Sequence, residues 1–234
     1  MNLLAIETAT ESCSVALLSG ERLCARSEFA PRRHAELLLP MCDAVLAEAG
    51  MARRALSAVA FGRGPGAFTG VRLAAAAAQG IAFAFELPVI PVSSLAALAL
   101  QASDDGAPIL AAIDARMGEV YAGWFRRTPD GLLEAIAAET VGPVASLAIA
   151  INEPCHVIGS GWATYATALA AHLPQPPRST FGDALPQAVD VARLAAPMLR
   201  RGLGLPAEQA LPVYLRDKVA LTVAEQQAGR AGRA

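Results

Sequence analysis

Short apolar runs alternate with polar turns through roughly the first hundred residues of the chain. The first three runs lie close together, which predicts two β-hairpins, and apolar residues at helical spacing then alternate with further short runs. The predicted strands are 3–6, 12–18, 22–27, 56–61 and 88–92, and the predicted helices are 32–49, 69–85 and 94–101. Thr69 and either Ser93 or Ser94 are the expected caps of the last two helices. The order of this half is therefore β-β-β-α-β-α-β-α.

A similar pattern begins again after the polar segment 102–107. It predicts strands at 109–113, 118–126 and 132–140, a helix that starts at Pro143, a strand near 156–158, and helices at 162–172 and 187–201. A duplicated unit of this kind is the topology of the actin-like and Hsp70-like phosphotransferases, a two-lobed α/β fold that binds ATP between its lobes. We expect one lobe over residues 1–104, a second over 105–222 and a flexible tail over 223–234.

The composition narrows the class of protein. Of the 234 residues, 54% are hydrophobic, and 19 Lys and Arg against 21 Asp and Glu leave a net charge of −2. A chain without excess basic charge is not expected to bind a nucleic acid by itself. The mean hydropathy of +0.40 comes largely from alanine. The longest apolar run, 73–85, is broken by Gln79 and Gly80 and is too short for a membrane span.

The cysteines and the first residues point to the cytoplasm. Cys13, Cys24, Cys42 and Cys155 lie far apart, without the C-x-x-C pairs of a zinc site or the regular spacing of a disulfide framework. The chain starts with a short apolar stretch that has no basic residue before it, so we expect no signal peptide. A reducing compartment fits these features best.

The turn after the first strand is a candidate phosphate site. In the actin-like fold the first hairpin holds a phosphate, and the residues that could form a vestigial site here are Glu7, Thr8, Thr10, Gly64 and Gly66. Glu7 and Glu11 place negative charge where a triphosphate would lie, which is unfavourable without a bridging cation. An ordinary hairpin, with threonines bonded to the turn backbone, is the alternative interpretation.

The glycine-rich segment 62–70 lies between a predicted strand and the start of a helix. Unpaired amides at such a position can bind an anion. The segment lacks the G-K-[ST] ending of a Walker loop. The glycines equally suit a tight turn and close packing of a helix on a sheet, so both interpretations stay open.

Five segments of the chain belong together as a set of motifs: LAIETAT (4–10), RHAELLLP (33–40), GRGPGAFTGVR (62–72), PVIPVSSL (88–95) and DARMGEVY (114–121). Together they closely resemble the TsaB family. These YeaZ-like proteins belong to the bacterial machinery that makes threonylcarbamoyladenosine beside the tRNA anticodon. The resemblance runs from residue 2 to about Val219, where PVYLRDKVA (212–220) looks like the tail of the family.

The resemblance implies a paralogue of the catalytic subunit TsaD that has lost its active site. TsaD-like chains carry a metal-binding H-x-x-x-H, and the matching positions here are Ser94 and Leu98, neither of which replaces histidine as a ligand. We therefore expect no catalytic residue, no metal and no cofactor. Asp114 lies where an active relative could place a metal-binding acid, and its alternative role is to cap a turn opposite Arg116.

The resemblance also implies the partners. TsaB-like proteins pair with TsaD, or with a second copy of themselves, through their first two helices, which form a four-helix bundle. A TsaE-like ATPase joins the larger complex, and tRNA is reached only through that complex. The interface residues predicted on this basis are Arg33, His34, Leu38, Met41, Arg72 and Ala75.

An enzyme that acts alone is the alternative hypothesis. It would be an actin-fold nucleotide hydrolase or small-molecule kinase, or a glycoprotease-like metallopeptidase. The missing H-x-x-x-H argues against the metal-dependent version, and the acidic turn at Glu7 and Glu11 argues less strongly against the nucleotide version. We therefore favour a non-catalytic subunit.

Overall fold

Two β-sheets form the framework of the computed structural model, which describes residues 1–128 and 132–216. The first sheet has the order β3-β2-β1-β4-β5 and consists of β1 (Asn2–Glu7), β2 (Ser12–Ser19), β3 (Arg22–Phe29), β4 (Ala58–Gly62) and β5 (Val89–Val92). The second has the order β11-β10-β6-β7-β8 and consists of β6 (Ile109–Arg116), β7 (Glu119–Arg127), β8 (Leu133–Ala135), β10 (His156–Ile158) and β11 (Ser179–Phe181), with β9 (Thr140–Pro143) also paired to β7. The helices are α1 (His34–Glu48), α2 (Phe68–Ala84), α3 (Ser94–Ala99), α4 (Ser160–His172) and α5 (Ala188–Arg200).

Both sheets combine antiparallel and parallel pairing in the same way. In the first sheet, β1 pairs antiparallel with β2 and parallel with β4. In the second sheet, β6 pairs antiparallel with β7 and parallel with β10. This repetition confirms the predicted α/β class with two related halves.

The second half departs from the predicted order after its third strand. The helix expected from Pro143 is wrong, because Pro143 ends β9 and a single 3₁₀ turn, Val144–Ser146, follows it. Ser146 Oγ donates to the Pro143 carbonyl oxygen at 2.8 Å, and the backbone is extended again at Leu147.

A smaller difference concerns α2, which begins at Phe68 without a side-chain cap, so Thr69 is not its cap. Ser93 caps α3 as predicted, because its Oγ accepts from the Ala96 N–H.

The alternation of side chains along β1 builds a separate core on each face of the first sheet. Leu4 and Ile6 pack in the core that contains residues of α1 and α2. Leu3 and Ala5 point to the opposite face and pack with residues of α5. Although α5 follows the second sheet in the chain, it covers the first sheet. The division into lobes at residues 104 and 105 stays a prediction.

The helix α1 lies on the first sheet with one of its two apolar rows fully covered. Leu38, Cys42 and Leu46 are all buried. Leu37 and Met41 are partly buried against the same core. Within the described residues, no helix is both long enough and apolar enough to cross a bilayer.

Candidate functional site

The carboxyl group of Glu7, at the end of β1, is completely buried. Its Oε1 accepts from the Ala9 N–H at 2.7 Å, and its Oε2 accepts from Ser94 Oγ at 2.7 Å. Burial raises the pKa of Glu7, and the hydrogen bonds from Ser94, Ala9 and Thr8 oppose that rise because they favour the ionised form. Both oxygens of this carboxyl group therefore already have partners inside the protein.

The glycine-rich segment allows the turn after β1 to approach it closely. A Cβ atom at Gly62 would overlap the Glu7 carboxylate, and one at Gly66 would overlap the Ala9 carbonyl oxygen. Thr8 Oγ1 donates to the Gly70 carbonyl oxygen at 2.8 Å, and the Ala67 N–H donates to the Ala9 carbonyl oxygen at 2.7 Å. These contacts favour close packing over an open cradle of amides.

The structure brings most of the predicted phosphate-site residues together. Glu7, Thr8, Thr10 and Gly66 lie around one turn beside the start of α2, whereas Gly64 lies against Val71 and the Val213 carbonyl oxygen. Thr10 Oγ1 is buried and has no hydrogen-bond partner among the described residues. Glu7, Thr8 and Ala9 already have hydrogen-bond partners inside the protein, and phosphate binding at this turn stays a prediction.

Ser94 and Leu98, the positions that match H-x-x-x-H, are both fully buried in α3. Ser94 donates to Glu7, and Leu98 lies where a Cβ atom at Gly159 would touch it. Within residues 1–128 and 132–216, no three His, Cys, Asp or Glu side chains are arranged to hold a metal ion.

A cleft of about 860 Å³ lies between the two sheets. Arg116 in the second sheet crosses it and pairs with Glu11 of the first hairpin at 2.6 Å. Arg116 also pairs with Asp114 at 3.0 Å, and its backbone N–H donates to Asp114 Oδ1 at 2.8 Å. Asp114 therefore caps the turn opposite Arg116, which is the alternative role considered for it.

The predicted interface residues divide between the core and the surface. Leu38 is 1% exposed and Ala75 is 4% exposed, so neither side chain reaches the surface, and their assignment to a contact surface is wrong. The helical repeat alone could not tell which row faces the sheet. Met41 is partly buried against the same core. His34 Nε2 lies 2.8 Å from the Thr10 carbonyl oxygen, and Arg33 pairs with Glu28 and Glu36.

The exposed side of α2 carries the predicted interface residue Arg72 and two small residues that are not among the predicted ones, Ala76 and Gly80. Arg72, Ala76 and Gly80 follow one another at intervals of four and are all exposed, so we call them the α2 stripe. The Arg72 guanidinium stacks 3.5 Å from the centre of the Phe68 ring, and its Nε donates to Tyr214 Oη at 2.6 Å. The interval of four was visible in the sequence, but the contact with Tyr214 depends on the fold.

Comparison with known proteins identifies the family. Residues 27–223 match the family model of TsaD, tRNA N6-adenosine threonylcarbamoyltransferase. The protein TsaB of Escherichia coli is 38% identical over 227 residues, which cover 94% of this chain and 96% of that protein. The TsaB of Haemophilus influenzae is also 38% identical, over 230 residues that cover 94% and 95% of the two chains. This chain belongs to the TsaB family.

A solved structure supports the same conclusion. YeaZ from Pseudomonas aeruginosa is 46% identical, with a TM-score of 0.84, and the match covers 92% of this chain and 99% of that one. The resemblance to the TsaB family is therefore confirmed, and so is the actin-like α/β fold that it implied.

Proposed function

We propose that this protein acts in the biosynthesis of threonylcarbamoyladenosine in tRNA, as a non-catalytic subunit that binds a TsaD-type threonylcarbamoyltransferase. The E. coli and H. influenzae relatives are named as biosynthesis proteins of this modified nucleoside, which supports the pathway. A TsaE-like ATPase and the tRNA would join through the complex, since the net charge of −2 gives this chain little attraction for RNA.

The non-catalytic role is supported by the contacts of Glu7 and Ser94. The Glu7 carboxyl group is buried and bonded to Ser94, and Ser94 occupies the first of the positions that match H-x-x-x-H. A catalytic group has to reach its substrate or a metal. These two residues hold the turn after β1 against α3 instead, which is a structural task.

The observation that carries the partner-binding role is the α2 stripe. Ala76 and Gly80 of this stripe are small and exposed, so a second helix can approach α2 closely there. Leu39, 56% exposed on the neighbouring α1, adds apolar surface that a partner helix would cover. We propose that the same surface forms a homodimer when the protein is alone.

Co-purification with the cognate TsaD-like protein tests this proposal. We expect a heterodimer in sedimentation velocity experiments. Ala76→Glu should weaken it roughly 100-fold or more, because a carboxylate would be buried in the bundle without a partner. Ala170→Glu, at an exposed alanine of α4, is the matched control and should leave the affinity unchanged. Leu38→Glu is unsuitable, because Leu38 lies in the core and the change would unfold the chain.

A cellular assay extends this test to the pathway. In cells that depend on this protein, Ala76→Glu should lower the threonylcarbamoyladenosine content of tRNA, measured by mass spectrometry, whereas Ala170→Glu should not. Equal heterodimer affinity for the two variants would contradict the proposed surface. Normal modification in cells that lack the protein would contradict the proposed pathway.

We also propose a cytoplasmic location, which the tRNA pathway requires. The cysteines among the described residues are all free and buried. Burial raises the pKa of Cys13 to about 11 and that of Cys42 to about 12, so these thiols stay protonated and unreactive.

A further inference from the structure

A groove of about 570 Å³ lies beside the C-terminal end of α2, on the side where the 3₁₀ turn Ala207–Gln209 packs against that helix. One wall is the end of α2, and the other is the chain segment 204–208. The second wall is fixed by two backbone hydrogen bonds between Val89 and Leu205, at 2.8 and 2.9 Å. The groove is therefore already formed in the free chain.

The floor and the edges of this α2-end groove are apolar. Leu87, Pro88, Leu205 and Pro206 line it. Phe83 also lines it and is 69% exposed. An exposed phenylalanine beside a formed apolar groove is typical of a docking site, because covering it releases ordered water from a large apolar surface.

The charges at the groove are all of one sign. Glu86 and Glu208 line it, both are exposed, and the part of it that the structure describes contains no Lys, Arg or His. Neither carboxylate has an ion pair among the described residues. Glu86 also occupies the left-handed position that ends α2, with φ of 52°, where glycine or asparagine is usual. Two carboxylates beside an apolar floor complement a segment that carries both apolar and basic side chains.

We propose that the α2-end groove docks a segment of a partner protein in which apolar side chains are flanked by lysine or arginine. The apolar side chains fill the space beside Phe83 and Leu205, and the basic groups pair with Glu86 and Glu208. None of the three residues of the α2 stripe lines this groove, which adjoins the stripe because Phe83 follows Gly80 by one turn of α2. Separate substitutions therefore test the two surfaces.

Fluorescence anisotropy with the full-length protein tests the inference. The probe is a labelled synthetic peptide of leucine, phenylalanine and lysine, and its counterpart has glutamate at every lysine position. We expect saturable binding of the lysine peptide alone, weakened by added salt. The double variant Glu86→Gln, Glu208→Gln should weaken it about tenfold, which is the combined effect of two partly exposed ion pairs.

Two matched controls separate the groove from general attraction. Glu21→Gln with Glu134→Gln removes the same charge from exposed acids elsewhere and should leave the affinity unchanged. Phe83→Ser should weaken binding, whereas Phe29→Ser, at an equally exposed phenylalanine, should not. Circular dichroism and thermal unfolding verify that each variant is folded.

Three results would overturn the inference. The first is equal loss of peptide binding in the two double glutamine variants, which would mean attraction to net charge alone. The second is equal binding of both peptides. The third is a Glu86→Gln, Glu208→Gln variant that no longer forms the homodimer but binds the peptide as the wild type does. That result would mean that the groove binds a second copy of this chain. Ala76→Glu should leave peptide binding intact, so a failure of the heterodimer surface is distinguishable from a failure of this inference.

Discussion

Glu7 and Glu11 belong to one short turn, but the fold gives them different roles. Glu7 is buried and bonded to Ser94, whereas Glu11 lies at the cleft and pairs with Arg116. Their spacing in the sequence predicts one patch of negative charge. The difference between them cannot be predicted, because Ser94 is far away in the chain and meets Glu7 only when α3 packs on the end of β1.

The buried Glu7 predicts a specific dependence of stability on pH. Its raised pKa means that the folded chain keeps the proton to a higher pH than the unfolded chain, whose value is near 4.5. Above that pH, ionisation of Glu7 therefore counts against folding. We expect the free energy of unfolding of the wild type, relative to Glu7→Gln, to fall as the pH rises, by at most about 1.4 kcal/mol per pH unit. Urea unfolding of both proteins between pH 4.5 and 8 measures it.

Ser94→Ala provides the control for this pH effect. It removes a hydrogen bond that favours the ionised carboxylate, so the fall with pH should become larger. Taking the difference from Glu7→Gln cancels the contribution of other titrating groups, including Asp190, whose pKa burial also raises. A wild type that gains stability over Glu7→Gln as the pH rises would contradict the prediction.

Whole elements can be predicted where the helical pattern of apolar residues extends over many residues, and α2 and α5 are examples. The short strand β11 was missed, because Ser179–Phe181 is too brief to show an alternation and lies beside a proline-rich stretch. The helix expected after Pro143 had only a favourable first residue to support it. The segment after Pro143 is instead fixed by a distant contact, because the buried Trp124 side chain donates its Nε1–H to the Ala148 carbonyl oxygen at 3.1 Å. That contact cannot be seen in a local pattern.

The adjacent residues Arg126 and Arg127 at the end of β7 illustrate the same limit. In the sequence they are only two adjacent basic residues, which does not distinguish solvated side chains from side chains that touch tRNA. Arg127 is 14% exposed and donates to the carbonyl oxygens of Leu100 and Ala102, just beyond the end of α3. Arg126 is 42% exposed and pairs with Glu153. One arginine of the pair thus completes a helix end, and the other forms a surface ion pair.

This difference predicts unequal effects of the same substitution. Arg127→Met keeps the aliphatic stem but leaves the carbonyl groups at the end of α3 without their donor, so we expect a loss of roughly 2 kcal/mol of stability. Arg126→Met removes an exposed ion pair with Glu153 and a long, exposed hydrogen bond to the Gly106 carbonyl oxygen, and should cost less than about 1 kcal/mol. Urea unfolding measures both variants. Equal losses would mean that the contacts of Arg127 do not stabilise the end of α3.

At the scale of the whole molecule, contacts between distant parts of the chain join the two sheets. Arg116 pairs with Glu11 across the cleft, and Arg63 pairs with Glu139 at 3.1 Å. The helix α5 returns to cover the first sheet. The duplicated order could be predicted from the sequence, but the destination of α5 could not, because an amphipathic helix does not specify which sheet it covers.

Groups of the turn after β1 are already hydrogen-bonded inside the protein, and this predicts weak binding of nucleotide. A triphosphate in the cleft would need donors from this turn and from the start of α2. Thr8 and the Ala67 N–H already donate to carbonyl groups within the protein, and Glu7 is buried. Calorimetric titration of the isolated protein with Mg-ATP should therefore show no binding tighter than millimolar.

The double variant Glu11→Gln, Arg116→Met separates two reasons for this weak affinity. It removes the ion pair across the cleft and leaves the turn after β1 closed. If internal hydrogen bonding of that turn excludes the phosphates, the variant should also bind no tighter than millimolar. Micromolar binding by the variant alone would assign the exclusion to the ion pair. Micromolar binding by the wild type, with turnover abolished by Asp114→Asn, would contradict the proposed non-catalytic role. It would mean that the protein is an enzyme that acts by itself.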